Sequence, residues 1–340
     1  MKKIKPRKSS ALSLRLFIMN NRKIRTLTLN PAVDRTVEIE GFILNQVNRI
    51  STSRLDAGGK GINVSKSIHG FGGTSTAFGV IAGTAGNFIK TYLDERGIEH
   101  RFVSVPGETR TNMKIVDPLN HTHTDINDQG PLISEKALTA LEDILFSEAS
   151  PETIFVFSGS IGRGTPPDMY RRLILKARSL GARTILDADG ESLRLGLEAG
   201  PTLVKPNIDE LERLFGRSFR KEEKPRLGEI AHACRTLLAK GIELVVVSLG
   251  SQGALLVHEN VVLFAESIPV QPESTVGAGD AMVAALALCL QREDPLHVMI
   301  CNAVGAGTAA VTTEGTAVPT REALNYYTQQ VQVHEIEEEL

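Results

Sequence analysis

Tryptophan is absent from this chain, aromatic residues make up only 5% of it, and its three cysteines, Cys234, Cys289 and Cys301, lack metal-ligand spacing. So little aromatic surface leaves nothing on which nucleic-acid bases could stack in series. Scattered cysteines, two of them inside apolar helical patterns, read as reduced core thiols and point to a cytoplasmic protein. Neither charge sign predominates: 38 Lys and Arg stand against 40 Asp and Glu, a net charge of −2 spread along the chain. Without a continuous basic surface, no nucleic-acid partner is expected. Long apolar runs are missing too. The stretch from Ala11 to Met19 is too short to span a bilayer, carries Arg15 and lacks a small-residue cleavage site, so no membrane partner is expected.

The opening residues differ from the rest, with Lys2, Lys3, Lys5, Arg7 and Lys8 crowded ahead of that short run. A second methionine, Met19, stands just before the first clear strand pattern. We expect residues 1–23 to be a disordered extension, with residues 1–18 either dispensable or ahead of the true start, and residues 326–340 to be a helix end with an acidic tail.

Between these ends, β-branched or apolar runs alternate with helical patterns. Strands are expected at Thr26 to Leu29, Thr76 to Ile81, Thr153 to Phe157, Thr184 to Leu186, Leu203 to Val204 and Leu244 to Val247. The helices between them imply crossover connections, hence a doubly wound, mostly parallel sheet covered on both faces. Ligands collect at the carboxyl ends of strands in such sheets. Polar residues fall there: Asn30 and Asp34, Ser158 to Ser160, Lys205 to Asn207, and Ser248 to Gly250. Each alone suits a loop or a cap; their shared edge suits a site.

The most informative segment is Thr275-Val276-Gly277-Ala278-Gly279-Asp280, placed where an apolar helix from about Ala281 to Leu290 begins. A helix start offers free N–H groups and a positive dipole end, and glycines let an anion approach the main chain. Taken alone, the segment reads equally as an ordinary turn with Asp as cap. A phosphate cradle does not account for Asp280, whose charge would repel the anion, whereas a base for an attacking hydroxyl does.

Two segments, about 36–52 and 109–125, break the rhythm and alternate at a strand period. The second puts Arg110, Asn112 and Lys114 on one face, opposite Thr111, Met113 and Ile115. These strands are too few for a domain and fit a small β-sheet lid over the edge site. His121, His123 and Asp125 also share a face, either as a solvated strand or as a metal site.

Two motifs in order, Asp56-Ala57-Gly58-Gly59-Lys60-Gly61-Ile62-Asn63-Val64 and Thr275 to Asp280, make the chain resemble the PfkB-type carbohydrate kinases of the ribokinase-like superfamily over about residues 24–325. Thr28 to Asp34, Lys205-Pro206-Asn207 with Glu210, and Val246 to Gly250 are similar to its ketohexose-phosphate branch. The resemblance implies ATP-dependent phosphorylation of D-fructose 1-phosphate at O6, with tagatose 6-phosphate or fructose 6-phosphate as alternative acceptors. It implies Asp280 as catalytic base and the N–H groups of Gly277, Ala278 and Gly279 as an anion hole. Asp34, Gly58, Gly59, Lys60, Asn63, Arg110, Asn112 and Ser160 would bind the sugar phosphate, with Lys60 and Arg110 on its phosphate. Lys205, Ser248, Gly250, Gly253, Asn302, Gly305 and Gly307 would lie along ATP. Asn207 and Glu210 would hold Mg2+ through water, and the lid would pair two copies as a homodimer.

Two departures from the family pattern bear on substrate choice: Ile161-Gly162-Arg163-Gly164 where Leu-Pro is expected after Ser160, and Ala188-Asp189 where small hydroxyl residues are usual. A dinucleotide oxidoreductase is disfavoured, since Asn30-Pro31 follows the first strand in place of a Gly-x-Gly-x-x-Gly turn. A non-catalytic sugar-phosphate or nucleotide sensor would be expected to lack Asp280.

Overall fold

The computed structural model describes residues 22–313 and 317–336; the expectations for residues 1–18, for Met19 and for the last acidic residues lie outside them. The chain runs through β1 (Lys23–Thr28), β2 (Ala32–Glu38), β3 (Thr52–Gly58), α1 (Lys60–Gly70), β4 (Thr76–Ile81), α2 (Gly83–Asp94) and β5 (Glu99–Ser104). Then come β6 (Arg110–Asp117), β7 (Thr122–Ile126), α3 (Glu135–Phe146), β8 (Thr153–Ser158), α4 (Met169–Ser179), β9 (Arg183–Asp187) and α5 (Gly190–Leu197). Next are β10 (Leu203–Val204), α6 (Ile208–Phe215), a short hairpin of β11 (Arg220–Lys221) and β12 (Lys224–Pro225), and α7 (Leu227–Leu238). The last part holds β13 (Leu244–Ser248), β14 (Ala254–His258), β15 (Val261–Ala265), α8 (Ala278–Arg292), α9 (Leu296–Val311), α10 (Arg321–Thr328) and β16 (Val333–Glu335).

Ten strands form one sheet in the order β16-β15-β14-β13-β10-β9-β8-β1-β4-β5. From β13 to β5 every neighbouring pair is parallel; β13 to β16 are joined antiparallel. This is the doubly wound, mostly parallel sheet expected, extended by β5 at one edge and by the β14–β15 hairpin and β16 at the other, none of which is among the strands expected. Alternation along β8 sends Phe155 and Phe157 into one core with Leu141 and Tyr170, and Ile154 and Val156 into another with Val64 and Val283. Burying each such side chain stabilises the fold by about 1.5–3 kcal/mol.

Helix α8 is apolar all round because it is wedged between the sheet and α1 and α9; every residue from Asp280 to Leu290 is buried. Its buried alanines, at 281, 284, 285 and 287, let those neighbours approach closely. The packing fixes the axis of α8, and so the direction of its first turn at the carboxyl edge of the sheet.

A separate four-stranded sheet, in the order β3-β2-β6-β7, stands beside that edge. Val37, Ile39 and Ile115 make its own small core, packed by Phe42 and Met113. The strand period read over residues 36–52 needs correction, because strands occupy 32–38 and 52–58 while most of the span between them is turn and loop. Side chains satisfy that loop in place of a strand partner. Asp117 accepts from the Gly41 and Phe42 amides, and Asn48 exchanges two bonds with Ile43. His121 sits in the turn before β7 with φ of 53°, off the strand face assigned to it. No group of three or more His, Cys, Asp or Glu able to hold a metal occurs among the described residues.

Candidate active site

Two helices begin at the same place without side-chain caps. Gly59 precedes α1 with φ of 106°, and Gly277 precedes α8 with φ of 83°. Both backbones favour glycine, and both leave their first N–H groups unspent, a ready anion site. Residues Gly277, Ala278 and Gly279 are only half-buried, so their amides remain accessible.

Asp280 lies in the first turn of α8 and is 7% exposed. Burial, reinforced by the charge of Asp187, raises its carboxyl to about 6 against opposition from Lys60, the Asn63 amide and Lys205. Asn63 Nδ2 donates to Asp280 Oδ2 at 2.9 Å, tying α1 to α8. A carboxyl poised near 6 is ionised at neutral pH yet basic enough to accept a proton from a hydroxyl.

Asp187, at the end of β9, is 1% exposed and sits between two ammonium groups, Lys60 Nζ at 3.4 Å and Lys205 Nζ at 3.2 Å. Burial works against the charge on Lys60, but Asp187, Asp280 and Glu210 outweigh it and hold the ammonium protonated above its usual range. Lys205 Nζ lies 3.4 Å from where a β-carbon on Gly279 would stand, so the cation borders the glycine turn. The arrangement places two positive charges beside free helix amides, with one carboxylate under them and one beside them.

The four-stranded sheet supplies a polar wall. Asn112 Nδ2 donates to Asp34 Oδ1 at 2.9 Å across the parallel β2–β6 pair, and burial raises the Asp34 carboxyl. Gly58 closes that wall, since a β-carbon there would fall 1.9 Å from Asp34 Oδ2. Arg110 donates from Nε and Nη2 to Asn30 O at 3.2 and 2.9 Å, so part of its fork already anchors the loop after β1. Ser160 is exposed, just past Gly159, whose carbonyl accepts from the buried Tyr170 hydroxyl at 2.9 Å. The Gly162-Arg163-Gly164 departure makes an isolated parallel bridge to Leu132 in the loop before α3, Arg163 O accepting from the Ile133 amide at 2.8 Å.

On the opposite side, Asn207 and Ser248 pair as an isolated bridge, bringing Lys205-Pro206-Asn207 beside Ser248-Leu249-Gly250. Asn207 and Glu210 form a reciprocal capping box: Glu210 N donates to Asn207 Oδ1 at 2.7 Å and Asn207 N to Glu210 Oε2 at 2.9 Å. One Glu210 oxygen is left over, which suits contact with a metal through water better than direct ligation. Gly250 opens a short turn that Gly253 ends before β14. Asn302 spends its amide on Val298 O within α9 at 2.8 Å, and Gly307 faces Met282. Gly305 packs against α10, where a β-carbon would lie 2.4 Å from Thr328 Oγ1.

Three participants were not assigned from sequence. Asp187 ends its strand at the same edge as the residues singled out from the sequence, but it stands beside the Ala188-Asp189 departure and carries no motif of its own. Lys66 looks like any lysine on an amphipathic helix, and Tyr170 like a core aromatic; neither carries a local signal.

A carboxylate poised as a base, helix amides for an anion and a polar wall from a second sheet, all at the carboxyl edge of a parallel sheet, define a ribokinase-like phosphotransferase. The family model for pfkB family carbohydrate kinase matches residues 27–323. The chain belongs to this family. It is 33% identical to 1-phosphofructokinase of Vibrio cholerae serotype O1 over 312 residues, 92% of this chain and 96% of that protein. It is 40% identical to 1-phosphofructokinase of Xanthomonas campestris pv. campestris over 270 residues, 78% of this chain and 83% of that protein. The crystal structure of phosphofructokinase-2 from Escherichia coli in complex with fructose-6-phosphate superposes with a TM-score of 0.83 at 29% identity, covering 91% of this chain and 98% of that one.

Proposed function

We propose that this protein transfers the γ-phosphoryl group of ATP to O6 of D-fructose 1-phosphate, giving fructose 1,6-bisphosphate and ADP. The observation that carries this reading is Asp280, a buried carboxylate raised to about 6 at the start of an uncapped helix. The likeness to two 1-phosphofructokinases supports the choice of acceptor.

In this reading the sugar lies between the lid and the helix starts. Asp34, held by Asn112, accepts hydrogen bonds from ketose hydroxyls, and Gly58 and Gly59 shape the floor. Arg110 and Lys60 meet the phosphate already on the sugar, Arg110 with the N–H groups it does not spend on Asn30. Ser160 borders the same end. Asp280 accepts the O6 proton as that oxygen attacks the γ-phosphorus. The bond to the β–γ bridging oxygen breaks, and ADP leaves with the electron pair. The amides of Gly277, Ala278 and Gly279 stabilise charge on the transferring group. Lys205, Ser248, Gly250 and Gly253 line the nucleotide, with Asn302 and Gly305 toward its base. Glu210 and Asn207 would hold Mg2+ through water, and the ion would neutralise charge on the nucleotide phosphates.

The lid also fits a homodimer contact. Leu44, Val47, Leu55 and Ile126 on it are exposed, more apolar surface than an edge sheet ordinarily leaves in water. No described helix is long and apolar enough to cross a membrane, and the reduced thiols fit the cytoplasm.

A second reading keeps the chemistry and turns the sugar, with the substrate phosphate on C6, as the fructose-6-phosphate complex of the Escherichia coli neighbour suggests; tagatose 6-phosphate is the related acceptor. Initial rates with MgATP against fructose 1-phosphate, fructose 6-phosphate, tagatose 6-phosphate and fructose decide between them. We expect the highest kcat/KM with fructose 1-phosphate; a preference for a 6-phosphate would reverse the orientation.

A further inference from the structure

Lys66 is a lysine where the fold has no room for a solvated one. It lies one turn after Asn63 on α1, is 3% exposed, and belongs to neither motif that marks the family. Its Nζ donates to Ala57 O at 2.9 Å, lies 3.4 Å from Asn63 Oδ1 and stands 5.3 Å from the centre of the Tyr92 ring.

An ammonium has donors only, so the Asn63 atom facing it must be the amide oxygen. With Oδ1 held there, the NH2 end is directed to the far side, where Asp280 Oδ2 receives it at 2.9 Å. A carboxylate has acceptors only, so the donors all run one way, from Lys66 through Asn63 to Asp280. The same ammonium also clamps the end of β3 to α1 through Ala57, next to Gly58.

We propose that Lys66 is a positioning residue for phosphoryl transfer, fixing the Asn63 amide so that it presents its NH2 group to the base Asp280. This inference rests on Asp280 being that base. Without Lys66, the amide is free to turn over and offer its oxygen to Asp280. Two facing acceptors are tolerated only with a proton between them, so Asp280 would hold its proton to higher pH.

Other charges act on the pair and stay in place in a Lys66 variant. Asp280 faces Lys60 on α1, Asp187 at the end of β9 and Lys205 after β10. Burial pulls the Lys66 ammonium below the usual lysine range, with Arg96 after α2 acting the same way, while Asp56 on β3, Asp34 on β2 and, from α8, Asp280 itself favour its charge.

The test is the pH profile of kcat/KM for the sugar phosphate in the wild type, Lys66→Met, Lys66→Arg, Asn63→Ala, and Lys66→Met combined with Asn63→Ala. Lys66→Met should move the acid limb up by about one pH unit, so that its deficit reaches about tenfold at low pH and closes above pH 8. Lys66→Arg should restore the limb and show that the fold tolerates change there. The double variant should lie on the Asn63→Ala profile, because the effect passes through Asn63. A Lys66→Met limb that stays in place, a deficit equal at all pH, or a double variant shifted well beyond Asn63→Ala would overturn the proposal. Asp280→Asn separates the two claims: if it stays active, the base assignment has failed; if it is inactive while the Lys66→Met limb stays put, only the positioning role has.

Discussion

Asn63 Nδ2 and Asp280 Oδ2 are 2.9 Å apart, and this one bond joins the uncapped starts of two helices that come from opposite ends of the chain. It holds the acidic residue of one family motif against the asparagine of the other, 217 positions away. The charge on Asp280 is therefore partly solvated by the protein itself, in a place from which water is largely removed.

That carboxylate carries a stability cost with a definite sign. Its folded pKa is about 6 against an ordinary 3.8, so the native state binds the proton more tightly than the unfolded chain does. The stabilisation is full below the unfolded value and is lost as pH rises through about 6. Two pKa units correspond to about 3 kcal/mol, so Asp280→Asn should be more stable than the wild type by about 1–3 kcal/mol near pH 8 and by nearly nothing near pH 4. Urea unfolding at the two pH values checks this; a variant less stable at pH 8 would show that the ionised form is not strained.

Asp187 lies buried between two lysines, and the pair is needed to neutralise it along with its neighbours. Lys205→Met should destabilise the protein by about 3 kcal/mol, because it strips one cation from a nearly inaccessible carboxylate. Adding Asp187→Asn should recover part of that loss. Denaturant midpoints for the two variants measure it, and an unchanged midpoint in Lys205→Met would mean that Lys60 suffices.

The sugar wall depends on an absent side chain. Gly58→Ala sets a methyl group 1.9 Å from Asp34 Oδ2, forcing Asp34 from its bond with Asn112. We expect kcat/KM for the sugar phosphate to fall about 10²-fold, the scale of a displaced substrate contact, with KM for ATP nearly unchanged. A larger effect on ATP than on sugar would place Gly58 on the other side of the site.

Gly305 was expected near the nucleotide, and its contacts give it a packing duty as well. Gly305→Ala brings a β-carbon within 2.8 Å of the Thr328 backbone nitrogen, and separating α9 from α10 should cost about 1–3 kcal/mol. KM for ATP should stay within about twofold if that duty is the whole of it. A rise in KM without loss of stability would return Gly305 to the nucleotide.

Legibility of the sequence followed how local each signal was. The glycine turn before α8 was readable because glycines, an acidic residue and an apolar run are neighbours in the chain. The parallel strands were readable because burial on both faces makes them continuous apolar runs. Strand β16 pairs with β15 from about 70 residues away and β5 is mixed in polarity, so neither has a clear local pattern, whereas the β14–β15 hairpin does carry one, two apolar runs around Glu259-Asn260, that a reading for crossover units passes over. The lid was found, but its first segment was misplaced: Val37 and Ile39 start an alternating pattern, yet beyond them Asp117, more than 70 residues away, accepts the amides of Gly41 and Phe42 and replaces a strand partner. Arg110 opens β6 as the strand period leads one to expect, whereas its hold on Asn30 O depends on the loop after β1 folding back. Lys66 was invisible for the opposite reason, since only tertiary packing distinguishes a buried lysine from a solvated one.

The most direct measurement is the kcat of Asp280→Asn with saturating MgATP and fructose 1-phosphate, alongside its affinity for ATP. If Asp280 is the general base, kcat falls by about 10²-fold or more with ATP binding nearly intact, the loss expected when such a base is removed. A kcat within a few-fold of the wild type would contradict that role.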